Sequence, residues 1–188
     1  MLASMAEAPS RLFWVDLEMT GLEPETCAIV EIATIITDAQ LEVIAEGPCF
    51  IVRPPGDALD RMSSFVRELH QRSGLLTRIE ASTTTIAEAQ AATLAFLAQH
   101  TTRGTSLLCG NSVWKDRAFM EREMPDVIAW LHYRMIDVST IKELVRRWYP
   151  AGHRPPKKKE VHRALDDIRE SIEELAWYRA HVFVPPLV

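Results

Sequence analysis

Short apolar runs open the chain, and longer amphipathic stretches close it. Leu12 to Met19, Ile29 to Thr37 and Leu41 to Val52 are rich in β-branched and aromatic residues and read as strands. Their short connections predict an antiparallel meander. Arg53-Pro54-Pro55-Gly56-Asp57 then breaks the pattern. Helical spacing follows: Ser63 or Ser64 caps a helix through His70. Thr85 and Glu88 form a capping box for a longer one, Ile86 to His100, with Leu94, Leu97 and Ala98 on its apolar face. Ser106 to Cys109 is a short buried strand that ends in Gly110-Asn111-Ser112 and leads into a helix from Val113 to Glu123. Pro125 opens a further short helix. Tyr133 to Val138 reads as a fifth strand, and Ser139 caps a helix through Trp148. After a loop from Tyr149 to Glu160, a last helix runs from His162 to His181 on a stripe of Leu165, Ile168, Ile172 and Leu175. A meander followed by alternating helices and strands predicts an α/β domain, a mixed five-stranded sheet flanked by helices. The expected boundaries are a disordered tail over 1–10, one domain over 11–182 and a C-terminal tail over 183–188.

Composition narrows the class. The 188 residues are 47% hydrophobic and 25% charged, with a net charge of -5, so there is no global positive field to hold long duplex nucleic acid. Short phosphate chains remain open to it through metal ions and local cations. Cys27, Cys49 and Cys109 give no disulfide framework and no zinc spacing, which fits a reducing compartment. Met1 to Ser10 lacks the features of a signal peptide, and Met5 is an alternative start. No apolar run approaches the roughly 20 residues of a membrane span. A cytoplasmic protein without a membrane partner is the expectation.

The chemistry begins in the first strand. Asp16 and Glu18 stand two apart, so they project from one face of it among Leu12, Phe13, Trp14, Val15 and Leu17. Two adjacent anions repel, and a divalent cation is the usual way to neutralise them. Asp116 falls in the first turn of the helix after the 106–109 strand, where it points back toward the strand end. An ordinary first-turn acid is the alternative, since acids are favoured at helix N-termini. In the last helix His162 and Asp167 lie about 140° apart around the axis, so His162 belongs at the helix start, on a less rigid segment. Asp166 shares a side with Arg169, Glu170 and Glu173, whereas Asp167 flanks the apolar stripe and is the better ligand. Four carboxylates and one His suit two-metal phosphoester hydrolysis, and oxygen donors select Mg²⁺ or Mn²⁺. His162 is then the base that takes a proton from water.

In this order, Asp-x-Glu, Asn-x4-Asp and His-x4-Asp, the chain resembles the DEDDh 3′→5′ exonucleases. Within them it is most similar to the oligoribonuclease family, over about Leu12 to Val182. The phrases that carry this likeness are Val15 to Leu22, Cys109 to Ser112, His132-Tyr133-Arg134, Asp137 to Thr140 and Asp166 to Ser171. The resemblance implies a ribonuclease H-like exonuclease fold, a homodimer and two divalent cations. It also implies release of mononucleotides from the 3′ ends of very short RNAs, dinucleotides above all, as the final step of RNA turnover. By it, Asp16, Glu18 and Asp167 hold metal, Asp116 completes the site and His162 is the base. Leu22 wedges against a base, and Phe65 stacks on one. Ser112, Arg134, Ser139 and Thr140 close around the 5′ phosphate, Tyr133 and Arg134 reach the site from the partner subunit, and His70 lies near the substrate. The family usually carries Trp where Phe65 stands.

Other readings stay open on sequence alone. Leu22 suits a plain turn hydrophobe, Phe65 a core residue, and Tyr133 and Arg134 a simple contact surface. Lys157-Lys158-Lys159 reads as a solvated charge run or a phosphate-steering loop. Competing functions are a DEDDh exonuclease for longer DNA or RNA and a non-catalytic nucleotide-binding scaffold. The 132–140 phrase and the acidic net charge argue against the first, the complete acid and His set against the second.

Overall fold

The pleat of the first strand organises the molecule. In the computed structural model, which describes residues 11–156 and 163–184, the chain runs β1 (Leu12–Met19), β2 (Ile29–Thr37), β3 (Val43–Glu46), β4 (Phe50–Ile51), α1 (Ser64–Arg72), α2 (Leu75–Ala81) and α3 (Ile86–His100). It continues with β5 (Leu107–Gly110), α4 (Val113–Glu123), α5 (Pro125–Trp130), β6 (Met135–Asp137), α6 (Val138–Trp148) and α7 (Ala164–His181). Along β1 the odd residues Phe13, Val15 and Leu17 enter a core with Phe96, Leu97, Phe119, Met120 and Val127, from α3, α4 and α5. The even residues Leu12 and Trp14 enter a second core with Val138 and Val145 of α6 and Ile168, Ile172 and Tyr178 of α7. Helices therefore cover both faces of one mixed sheet. Burying a side chain such as Phe13 contributes about 1.5–3 kcal/mol.

The sheet order is β3-β2-β1-β5-β6, with β4 also paired to β2. The meander β1–β2–β3 is antiparallel, while β1–β5 and β5–β6 are parallel. The carboxyl ends of β1, β5 and β6 thus share one edge, where open α/β sheets gather ligands.

Most expected elements are present, with four differences. The 41–52 signal divides into β3 and β4 because Gly47 sits tight against Thr34 and Phe96 and Pro48 has no N–H to donate. The sheet accordingly has six strands rather than five. Helix α2 was not expected; it follows Gly74, whose φ of 73° turns the chain out of α1. The N-cap of α6 is Asp137, whose side chain accepts from Ser139 N, so Ser139 is not the cap. Helix α7 starts at Ala164. The expected tail at 1–10, Lys157-Lys158-Lys159 and His162 lie outside the described residues.

Candidate active site

The even face of β1 is apolar in its first half and acidic in its second. Leu12 and Trp14 anchor α7, and Asp16 and Glu18 continue the same register toward the strand end. Because α7 lies over this face, its first turn brings in Asp167. One carboxylate oxygen from each of Asp16, Glu18 and Asp167 lies within 4.8 Å of the others. Asp166 faces away and binds Arg169 at 3.1 Å, as the angular reading expected. A bulge between Glu18 and Met19 ends the regular pairing and turns the chain toward Thr20 and Gly21.

Asp116 enters from the other side of the sheet. Its Oδ1 accepts from Leu17 N at 3.1 Å, so it is fixed to β1 between the two acids. It is 7% exposed and outside the three-oxygen cluster. Burial raises its pKa to about 7. Glu18 is pushed up to about 8, first by burial and then by Glu31, Asp167 and Asp116. Among the described residues the site is short of positive charge, and the converging donors are all carboxylate oxygens. That combination fits a hard divalent cation.

A second group gathers at the ends of β5 and β6. Ser112 adopts a left-handed conformation, with φ of 51°, and its N–H donates to Asp137 Oδ1 and Ser139 Oγ, both at 2.9 Å. Ser112, Ser139 and Thr140 line a shallow cleft of about 350 Å³ with Trp114, Leu144 and Arg147. Arg134 and Tyr133 do not join it within this chain. Arg117 holds the Tyr133 carbonyl at 3.1 Å, and the Tyr133 ring stacks on His132, facing outward. Leu22 and Phe65 are 66% and 75% exposed, so neither is a core residue. His70 stands apart, only 2% exposed. Its Nε2 lies 2.9 Å from the Met19 carbonyl, which can only accept, so Nε2 carries the proton. Its Nδ1 lies 3.9 Å from Glu18 Oε2. His70 is the one buried residue of α1, and it ties that helix to the end of β1.

Three neighbours of the site were given no role of their own by the sequence, although Asn111 and Lys115 fall within its Asn-x4-Asp motif. Glu31 sits directly across from Glu18, buried, with Arg78 of α2 at 3.5 Å. Burial raises its pKa, while Arg78 and Arg163 oppose the shift. A single acid inside the β-branched run Ile29 to Ile36 was the available signal. Lys115 Nζ donates to the Leu22 carbonyl at 2.9 Å and steadies that loop. Asn111 bonds Ser139, Ser171 and Glu174 at once.

A family model described as an exonuclease, RNase_T, matches residues 13–175. The oligoribonuclease of Aromatoleum aromaticum is 50% identical over 175 residues, covering 93% of this chain and 96% of that protein. The mitochondrial oligoribonuclease of Mus musculus is 49% identical over 185 residues, covering 96% of this chain and 78% of the mouse protein. Among solved structures, exonuclease I without ligand superposes with a TM-score of 0.72 at 16% identity, over 93% of this chain and 43% of that one. A zinc-bound complex of E. coli exonuclease I with single-stranded DNA gives 0.75 at 16% identity, over 93% and 41%. This chain therefore spans less than half of exonuclease I, and the likeness identifies the ribonuclease H-like exonuclease fold. Identity near one half along almost the whole chain, together with the exonuclease match, means that the chain belongs to the oligoribonuclease family.

Proposed function

We propose that Asp16, Glu18, Asp116 and Asp167 hold two divalent cations, Mg²⁺ or Mn²⁺, and that His162 is the general base. The enzyme is a 3′→5′ exoribonuclease that degrades short oligoribonucleotides. The observation that carries the mechanism is the convergence of three carboxylate oxygens within 4.8 Å at the end of β1. Bound cations would supply charge neutralisation at the scissile phosphate and acidify the attacking water.

The chain's own residues do the rest. His162 takes a proton from water, and the water oxygen bonds to the last phosphorus. The bond from that phosphorus to the preceding 3′ oxygen breaks. The products are a nucleoside 5′-monophosphate and a shortened chain whose new 3′ oxygen takes a proton from solvent. Leu22 wedges between bases and Phe65 stacks on one; their exposure supports this. Ser112, Ser139 and Thr140 bind the 5′ phosphate with Arg134 through charge-assisted hydrogen bonds. His70 serves the substrate set from beneath, by holding Met19 next to Glu18.

A homodimer completes the cap. Trp114 of α4 and Leu144 of α6 line the cap cleft and are exposed, and exposed Trp148 follows one turn on from Leu144, an apolar face for a second copy. Tyr133 and Arg134 of the partner subunit would close over the phosphate. A closed cap excludes long or duplex chains sterically and selects dinucleotides. No described helix is long and apolar enough to cross a membrane, and the three free cysteines suit the cytoplasm.

The test compares a 5′-phosphorylated dinucleotide with a 20-mer RNA, following mononucleotide release. The dinucleotide is cut faster, and Asp16→Ala abolishes turnover. Preference for the 20-mer sinks the cap, and unchanged turnover in Asp16→Ala sinks the mechanism.

A further inference from the structure

We infer that Asn111 is a positioning residue that sets the spacing between the 5′-phosphate cap and Asp167, so that a bound phosphate places the scissile bond over the metal-binding acids. This rests on the cap proposed above. Asn111 follows β5, at the edge where the cap and the acids meet. Its side-chain amide makes three hydrogen bonds to groups from two helices, with both N–H donors engaged. Oδ1 accepts from Ser139 Oγ at 3.1 Å, at the start of α6. Nδ2 donates to Ser171 Oγ at 2.8 Å and to Glu174 Oε2 at 3.2 Å, both on α7. A carboxylate oxygen only accepts, so the nitrogen must face Glu174 and the amide has one orientation.

The chain of bonds runs on to the metal site. Ser171 Oγ donates to the Asp167 carbonyl at 2.7 Å, one turn back along α7. Toward the cap, Ser139 Oγ also accepts from Ser112 N. Thus Ser112, Ser139, Asn111, Ser171 and Asp167 form one continuous hydrogen-bonded path. A second strut braces it: Lys142 of α6 pairs with Glu174 at 3.0 Å, and Tyr178 OH donates to the same carboxylate at 3.1 Å. Ser171 and Glu174 are buried, so these bonds are made in a low-dielectric setting where an unmade partner is costly. Ser112 holds a left-handed backbone that only a tightly determined surrounding sustains.

The consequence is kinetic. Cap donors touch the phosphate, so their loss raises KM. Asn111 touches no substrate group; its loss leaves the phosphate bound but lets the phosphodiester drift from the acids. A displacement near 1 Å costs about 100-fold in well-aligned reactions, so a smaller drift costs about 10-fold in kcat.

The experiment measures kcat and KM for a dinucleotide with and without its 5′ phosphate, in wild type, Asn111→Ala, Ser171→Ala and Ser139→Ala. For Asn111→Ala, kcat on the phosphorylated dinucleotide falls about 10-fold with KM within about 3-fold, and the unphosphorylated dinucleotide changes less than about 3-fold. Ser171→Ala shows the same pattern in weaker form, and carries the test if Asn111→Ala does not fold. Equal slowing of both dinucleotides, or no change in either, overturns the positioning role. Ser139→Ala separates the two readings: if it leaves the benefit of the 5′ phosphate intact, the cap itself is wrong. If it removes that benefit while Asn111→Ala and Ser171→Ala do not, the cap stands and the spacing role falls.

Discussion

Stripped of divalent cations, the folded protein loses stability as pH rises, and Glu18 is the main reason. Its carboxyl is held at about 8 instead of 4.5, by burial first and then by Glu31, Asp167 and Asp116. The folded state therefore keeps a proton that the unfolded chain releases. That preference is fully present below about pH 4.5 and is lost as pH climbs through about 8. Each pH unit in that window is worth about 1.4 kcal/mol, so the full span is roughly 5 kcal/mol. Asp116 titrates in the same window, so the measured slope belongs to the cluster rather than to one residue. Domains of this size have ~5–15 kcal/mol in total, so the effect is readily measured. A bound cation displaces the proton and reverses the trend, because metal affinity rises as its ligands ionise. Urea denaturation followed by circular dichroism, with chelator, loses about 2–3 kcal/mol from the Glu18 proton alone between about pH 5.5 and about pH 7.5, and more as Asp116 titrates with it. With millimolar Mn²⁺ the loss shrinks or inverts, and Glu18→Gln flattens the metal-free slope. Two results refute the reasoning: a chelated wild type equally stable at both pH values, or a Glu18→Gln variant that keeps the wild-type slope.

Replacing Phe65 by Trp offers a larger stacking face on exposed α1 and lowers KM for dinucleotides about 2- to 5-fold; an unchanged or higher KM argues against base stacking there. At Gly110 a Cβ would lie 2.9 Å from the Val15 carbonyl and 3.1 Å from Val113, so Gly110→Ala costs about 1–3 kcal/mol in a denaturation midpoint. It also slows turnover, since Asp16 follows Val15; a wild-type midpoint would mean that β1 and β5 part freely. A maleimide labels exposed Cys49 in the native protein, slowed because partial burial and Glu31 raise its thiol pKa, but reaches fully buried Cys109 only on unfolding; early Cys109 labelling contradicts the packing of β5. If the proposed dimer forms through this face, Trp148→Glu shifts sedimentation toward the monomer without changing the circular dichroism spectrum; an unshifted sedimentation profile argues against that interface.

Legibility in the sequence follows the range of the interaction. Helix α3 and strands β1 and β2 match their expected bounds because a capping box in α3, and periodicity and apolar content in all three, lie inside the segment; α4 matches without a capping side chain, its start marked by the Gly110-Asn111-Ser112 turn that ends β5. Asp16 and Glu18 were legible for the same reason: a two-residue repeat puts them on one face whatever else the chain does. Asp167 was separable from Asp166 by a helical angle, and Arg169 does take Asp166. Helix α2 was missed because its seven residues carry no capping side chain, and its start depends on the left-handed Gly74. The break in the third strand signal depends on Thr34 and Phe96 crowding Gly47, contacts made across the fold.

The polar frame behind the acids is illegible for a stricter reason. Asn111 meets Ser139 from 28 positions away and Ser171 from 60, and no period connects such separations. Each residue alone suggests a turn or a cap, which is where Asn and Ser usually serve. Only the parallel order of β1, β5 and β6 brings their ends to one edge and gives the three side chains a common partner. Motif spacing thus identifies groups that must meet the same ligand, because the ligand imposes the pattern. The groups that hold those ligands at a fixed distance answer to the packing of α6 against α7, and any local sequence that preserves that packing and the bonds will serve. On the proposed cap, substrate length is set by such a distance. A chain can therefore announce phosphodiester chemistry, and even candidate cap residues, in a few short motifs, while the bonds that would hold cap and acids at a fixed spacing become visible only in the fold.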